Sequence, residues 1–428
     1  MIKKLLFLIL PLVGFSQGYT SYFTGNTTNI TTATSFGVCL MGGATENDNA
    51  MKWLLQKANG GDVVVLRSSG SNGYNNYLYS ELGIPVNSVE TLVITSVAGA
   101  TNPYVLNKVA NAEMIWFAGG DQFNYVSYFK DNALEDLLNN HINVKNAPIG
   151  GTSAGMAILG GHYFSAQNGS VTSTQAMTNP FASNVTLGNN DFLNVPVLNN
   201  VITDTHFDNP DRKGRLMTFM ARLYNSFFGT NYGIACNEYV AVCIDNEGNT
   251  QVFGDYPNYQ EFAYFTVPNC ISGSMPEILQ PNVPLTWNVN GEAVSAYKVA
   301  GLPNGSPVFN IYNFYQYYQG LGGSWKNWKV VNGVFTESNG NQPLSCLLTN
   351  DDFQKNQIVL YPNPVNNILI IDGIANYNYS IYDSLGKLIN VSSYGNSNEI
   401  DVSSLSIGIY LIKIAYKEKI ITKRFNKI

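Results

Sequence analysis

From Phe36 onward the chain repeats one pattern: a short unbroken apolar run, then a stretch of helix length. The runs are Phe36–Met41, Asp62–Leu66, Thr91–Thr95, Met114–Ala118 and Ala147–Gly150. Between them lie Asn47–Lys57, Asn102–Ala110 and Asn124–Asn139, each long enough for an amphipathic helix. A strand apolar at every position has both faces covered, which is the signature of a parallel sheet whose crossovers are helices. The pattern therefore predicts an α/β fold with a mostly parallel, doubly wound sheet. Ligands in such sheets bind beyond the carboxyl ends of the strands, so the residues just after each run carry the most information. Beyond about Asn237 the texture turns to short β-like runs (Val240–Ile244, Thr250–Gly254, Ala293–Val299, Pro307–Asn313).

Composition removes several classes of function. Charged residues make up 12% of the 428, about half the usual ~25%. Lys and Arg number 23 against 29 Asp and Glu, a formal charge of −6. With no basic cluster, nucleic acid is not the expected partner. Hydrophobic residues at 45% and aromatics at 13% exclude a disordered chain. No apolar run reaches the ~20 residues of a membrane-spanning helix. Five cysteines without C-x-x-C spacing suit neither a disulfide scaffold nor a zinc site; no metal and no cofactor is expected. Cys270 with Cys346, and less readily Cys236 with Cys243, could pair in an oxidising compartment.

The ends read differently from the middle. Met1–Gly18, MIKKLLFLILPLVGFSQG, has a charged start, an apolar stretch and small residues, the layout of a secretory signal peptide cut after Ser16. Residues 17–35 are a Thr/Asn/Ser-rich lead-in, 36–345 the main domain, 346–357 a linker and 358–428 a last module. Export through the periplasm and outer membrane, to the medium or the cell surface, is the expected destination.

Chemistry concentrates at Asn146–Gly160, NAPIGGTSAGMAILG, where Gly151-Thr-Ser-Ala-Gly155 forms a G-x-S-x-G between an apolar strand and a helix-forming run. At such an elbow the serine stands above the sheet at a helix N-terminus, and only small neighbours avoid collision. The nucleophile is thus Ser153. Of the three histidines, His141 closes a helix, where a cation at a helix end is the plainer account, and His162 lies too near the elbow to fold back. His206 follows the strand-like Val201–Thr205 and is the candidate base. Glu238, after Tyr232–Cys236, is the favoured orienting carboxylate, with Asp204 and Asp245 as alternatives. The Ala154 N–H is one oxyanion donor; the glycine turn in Phe117–Gln122 offers a second.

These residues match a family. Gly119-Gly-Asp-Gln122, Gly150-Gly-Thr-Ser-Ala-Gly155, Asp204-x-His206-Phe and Gly233-Ile-x-x-x-Glu238 resemble, in order and spacing, the motifs of the cyanophycinases, exopeptidase relatives of aspartyl dipeptidase. Met41-Gly-Gly-Ala-Thr-Glu46 fits their first strand and loop. The resemblance implies Ser153, His206 and Glu238 as triad, Gly120 and Ala154 as oxyanion hole, and Asp121, Gln122 and Asp204 as substrate contacts. It also implies a role for Arg212 and Arg215 in recognising carboxylates. The substrate it implies is cyanophycin or a related Asp-rich isopeptide. Pro210 and Thr205 depart from the pattern, where an arginine and a glutamine are common, and Asp208 and Asp211 make the loop more acidic.

The last module, with Tyr361-Pro-Asn-Pro364, Ile381–Leu388, Asp401–Tyr410 and Lys423-Arg424, resembles the C-terminal sorting domain of type IX secretion. That implies a small β-sandwich and a partner in the secretion machinery. A homodimer is compatible with the chain. The contrasting expectation is a non-catalytic cell-surface protein that binds a ligand or glycan, using the aromatics of Asn313–Trp328.

Overall fold

The computed structural model describes residues 17–227, 231–269, 275–313, 322–341, 359–372, 377–383, 387–395, 398–416 and 419–428. The expected leader at 1–16, Cys270, Cys346 and residues 314–321 of the aromatic stretch lie outside them. Two compact units divide after Cys346.

In the first unit the apolar runs become strands β1 (Gly37–Met41), β2 (Asp62–Arg67), β3 (Ser88–Ile94), β4 (Met114–Phe117) and β5 (Ile149–Thr152). They pair in parallel in the order β3-β2-β4-β5-β1. Every residue of the five is buried except Arg67, because alternate side chains enter two different cores. On one face Val64, Leu66, Ile115 and Phe117 pack with Val105, Val109, Tyr125, Phe129, Leu134 and Leu138 from helices Pro103–Asn111, Gln122–Phe129 and Ala133–Asn143. On the other, Val63, Val65, Met114 and Trp116 pack with Met51, Leu54 and Leu55 of helix Asp48–Lys57. The sheet is doubly wound, as its apolar runs require.

The departures have local causes. The stretch expected as one helix over Asn124–Asn139 is two, broken where Asp131 takes a φ of +60° and Asn132 caps the second through Leu134 N–H at 3.0 Å. Strand β3 starts three residues before the apolar run because it buries Glu90, whose charge is met by Lys108 at 2.9 Å and whose Oε1 accepts the hydroxyls of Ser21 and Tyr104. Tyr19–Gly25, expected as lead-in, is an antiparallel edge strand on β3. Its Thr, Tyr and Phe suit a half-buried strand although they do not alternate cleanly.

The β-like runs after Asn237 serve two sheets. Ala241–Asp245, Thr250–Phe253 and Ser306–Pro307 extend the first sheet antiparallel from β1. A second sheet of eight strands runs from Val334–Asn339 to Leu187–Asn189 and includes Val201–Asp204 paired in parallel with Tyr232–Cys236. Helix Lys213–Phe227 covers it, with Leu216, Met217 and Met220 sharing a core with Ile202, Ala235 and Trp328. Of the aromatic stretch, Trp328 is fully buried and Trp325 packs against Tyr297 at 4.9 Å. Cys236 and Cys243 stand on strands of different sheets and, like Cys39, are free thiols.

His141 is not a cation at a helix end. It is buried, its Nε2 lies 3.0 Å from the Pro148 carbonyl just before β5, and burial pushes its pKa down to about 4. The unfolded chain takes up this proton near 6.5 and the fold only near 4. Between those values the unfolded state binds more protons, so stability falls as the pH falls. The expected loss is about 3 kcal/mol by pH 4. Denaturation midpoints at pH 7 and pH 4.5 should differ in wild type, and by clearly less in His141→Gln, which keeps a donor for Pro148.

In the second unit the strands form a three-stranded and a four-stranded antiparallel sheet. They enclose a core of Leu369, Ile371, Ile381, Ile400, Ile412, Ile414 and Phe425. The alternation is plain in Gly408–Tyr416, where Ile412 and Ile414 are buried while Leu411 and Lys413 are exposed.

Candidate active site

Strand β5 ends at Thr152 and helix Ala154–Ala157 begins two residues later. Ser153 makes the turn with φ +53° and ψ −115°, a conformation that costs a non-glycine residue of order 1–3 kcal/mol. Its flanks have no room. A Cβ on Gly151 would lie 2.5 Å from the Gly155 carbonyl carbon, and one on Gly155 would lie 2.2 Å from the Phe117 carbonyl oxygen. The elbow helix is a single turn, and His162 opens a strand instead of closing that helix.

Three side chains picked out along the sequence meet here. Ser153 Oγ lies 2.8 Å from His206 Nε2, and His206 Nδ1 lies 2.6 Å from Glu238 Oε1. With Nδ1–H donated to the carboxylate, Nε2 is left as the acceptor facing the serine hydroxyl. The hydrogen bond from His206, with a second at 3.3 Å from the Asn209 amide, holds the Glu238 carboxyl below the usual range. Glu238 therefore stays ionised well into mildly acidic solution.

The frame that holds these residues is backbone. Ser153, His206 and Tyr239 donate their N–H groups to the carbonyls of Met41, Gly42 and Gly43 at 3.0, 2.8 and 3.0 Å. One strand end thus fixes the nucleophile, the base and the residue after Glu238. Gly43 has φ +122°, and a Cβ there would stand 2.4 Å from the His206 ring; one on Gly42 would meet the Asn237 carbonyl at 1.9 Å. Asp208 adds a 3.0 Å bond to the Glu238 N–H. Sequence reasoning missed Asp208 and Asn209 as supports, and backbone acceptors leave no trace in residue identity.

The other expected residues divide. Gly119 faces Ser153, whose Cβ lies 3.5 Å from where a Gly119 Cβ would stand, and Gly120 follows with φ +148°, where a Cβ would stand 3.5 Å from the Ser68 hydroxyl. Ala154 N–H is the first of the elbow helix, where no intrahelical acceptor exists. Asp121 caps helix Gln122–Phe129 through Phe123 N–H at 2.9 Å, and Gln122 donates to the Phe164 carbonyl at 3.0 Å. Arg212 gives Nη1 to the Thr205 carbonyl at 2.8 Å, and burial beside Arg215 brings its pKa down to about 10, so it remains a cation.

Asp204 and Arg215, expected at the substrate, are instead spent on each other. Both are buried, Arg215 Nε lies 2.9 Å from Asp204 Oδ2, and Nη2 closes the fork onto Oδ1. A paired carboxylate this deep braces the start of the His206 loop, and neither group is free for a ligand. Asp245, the other alternative to Glu238, lies on the first sheet, where it accepts the N–H groups of Glu247 and Asn249 at 2.9 Å. Among the described residues no cluster of His, Cys, Asp or Glu could hold a metal.

Parts of the chain are similar to known proteins. Residues 74–252 match the family described as peptidase family S51. That stretch contains Ser153, His206 and Glu238. Residues 359–427 match a secretion system C-terminal sorting domain, which marks the chain for export to the medium or cell surface. Among curated proteins, the cyanophycinases of Trichormus variabilis and of a Nostoc species are each 23% identical over 177 residues, 41% of this chain and 53% of theirs. The cyanophycinase of Geminocystis herdmanii is 25% identical over 113 residues, 26% of this chain and 38% of its own. The chain thus spans about half the length of the first two. Similar solved structures include a peptidase from an acI-B1 actinobacterium, with TM-score 0.39 and 15% identity over 54% of this chain and 94% of that one. A putative peptidase E protein from Listeria monocytogenes gives TM-score 0.34 and 15% identity over 51% and 98%. No helix of the described residues is long and apolar enough to cross a membrane.

Proposed function

We propose that this chain is an exported serine peptidase that hydrolyses cyanophycin or a related Asp-rich isopeptide through an acyl-enzyme on Ser153. The observation that carries the reading is the unbroken run of hydrogen bonds from Ser153 Oγ through His206 to Glu238. In this mechanism Ser153 Oγ attacks the scissile carbonyl carbon while His206 Nε2 takes its proton. The ionised Glu238 stabilises the imidazolium. The N–H groups of Gly120 and Ala154 receive the oxyanion. His206 returns the proton to the leaving amine, and water, activated by the same nitrogen, releases the acid and frees Ser153.

Arg212 supplies positive charge for a substrate carboxylate, and Asp121 and Gln122 border the oxyanion turn. Arg215 and Asp204 act only as supports. With Pro210 where relatives commonly place an arginine, recognition of a polyaspartate backbone rests on fewer cations. The sorting module directs the enzyme through type IX export.

The test is release of soluble dipeptide from insoluble cyanophycin by the purified protein, with short β-aspartyl peptides in parallel. Release from either by wild type and not by Ser153→Ala is expected. Release that survives Ser153→Ala would exclude the serine mechanism.

A further inference from the structure

Strand β1 carries a thiol at its centre, Cys39, and the register of its antiparallel neighbour Ala241–Asp245 sets Cys243 directly opposite. The kind of pair they form follows from the strand end. Gly42 donates its N–H to the Val240 carbonyl at 2.8 Å, and these two residues continue the same register. Hydrogen-bonded and non-hydrogen-bonded pairs alternate along an antiparallel ladder. Leu40 with Val242 is therefore the next bonded pair, and Cys39 with Cys243 is a non-bonded one. In such a pair the Cα atoms stand ~4.5 Å apart and the side chains are closest, within the span of a disulfide.

Both side chains enter one core. Cys39 and Cys243 pack with Val63, Val65 and Leu54 under helix Asp48–Lys57, and both are fully buried. Both are thiols in this structure. Burial raises the Cys243 pKa, and a hydrogen bond with the Cys39 thiol raises it further. The third thiol, Cys236, stands on the other sheet and packs in the opposite core, where its Sγ donates to the Leu40 carbonyl at 3.6 Å. The sorting module marks the chain for export, and exported chains pass through compartments where disulfides form and persist.

We propose that Cys39 and Cys243 are joined as a cross-strand disulfide in the exported protein. This rests on export and not on the peptidase reading. The bond forms by exchange with a donor disulfide. The thiolate of one cysteine attacks the donor and releases its first sulfur as a thiol. The thiolate of the other cysteine then displaces the second donor sulfur and closes the S–S bond. The cysteine pair gives up two electrons and two protons, and the donor leaves as two thiols. Both sulfurs are buried and burial disfavours the thiolate, so the exchange belongs to folding, before helix Asp48–Lys57 closes over the sheet. The link fastens β1 two residues before Met41, whose carbonyl holds the Ser153 N–H. It also encloses Ser153, His206 and Glu238 in one covalent loop.

The test is a peptide map of the full-length protein secreted through an oxidising compartment, and in parallel of protein refolded with reduced and oxidised glutathione. Free thiols are alkylated in denaturant. Cleavage after glutamate then leaves Cys39, Cys236 and Cys243 on different peptides, because Glu46, Glu238 and Glu247 separate them. The expected result is a Cys39–Cys243 crosslinked peptide that separates on reduction, with Cys236 alkylated. Refolding under reductant should lower the unfolding temperature by about 5 °C or more. That dependence, measured with Cys270→Ser and Cys346→Ser in place, should be absent from Cys243→Ala, whatever cavity the substitution leaves. Alkylated Cys39 and Cys243 in both preparations, or either of them joined to Cys236, would overturn the proposal.

Discussion

Ser153→Ala should lower turnover by about 10⁴-fold or more while leaving the unfolding temperature at or above that of wild type. The size follows from the loss of the attacking atom in a site where nucleophile, base and carboxylate act as a unit. Alanine keeps the Cβ and with it the backbone strain, so stability changes little in that variant; glycine differs. Ser153 sits at φ +53°, so the fold carries strain there for the sake of aiming Oγ at His206. Ser153→Gly removes the nucleophile and most of that strain together. It should be as inactive as the alanine variant and more stable than wild type by about 1 kcal/mol. Thermal denaturation and steady-state kinetics on the three proteins separate the two effects. An inactive Ser153→Gly that is also markedly less stable would mean that the hydroxyl supports the fold and that the strain argument is wrong.

Gly43→Ala should destabilise the fold and displace the catalytic base together. The position has φ +122°, and the added carbon would stand 2.4 Å from the His206 ring. Either the imidazole swings away from Ser153 or the Met41–Gly43 strand end withdraws, and the latter loosens three backbone hydrogen bonds at once. A loss of about 2–4 kcal/mol in stability is expected from strain and overpacking combined. Turnover should fall at least ~10²-fold in the fraction that folds, because a misplacement of ~1 Å is enough for that. Circular dichroism against denaturant reads the first effect and active-site-normalised kinetics the second. Near-normal values for both would show that the loop is slack and does not frame the triad.

How much of this was written in the sequence depends on the kind of interaction. The strands of the parallel core were legible because each is buried on both faces and so is apolar throughout, as in Val63–Leu66. Strand β3 was cut short in that reading because Glu90 hides within it, and the lysine that compensates it, Lys108, belongs to a different element. The elbow around Ser153 is local, so its glycines announce it. His206 and Glu238 stood out because histidine is scarce and both follow strands. Asp204 and Arg215 misled for a physical reason: a carboxylate and a guanidinium in one motif look like ligand groups, and only the fold reveals that the two are buried against each other. Tyr19–Gly25 lacks alternation because an edge strand packed on β3 is half-buried on both sides. Nothing in residue identity reveals that the carbonyls of Met41, Gly42 and Gly43 hold the triad, since every residue has a carbonyl.

The central claim is that Ser153 is a nucleophile activated by His206. Intact-mass spectrometry after brief exposure to a fluorophosphonate, followed by peptide mapping, asks this without knowing the substrate. The account predicts one adduct per chain on Ser153, absent from Ser153→Ala and formed far more slowly in His206→Gln. An unlabelled wild-type protein, or an adduct on any residue other than Ser153, would contradict it.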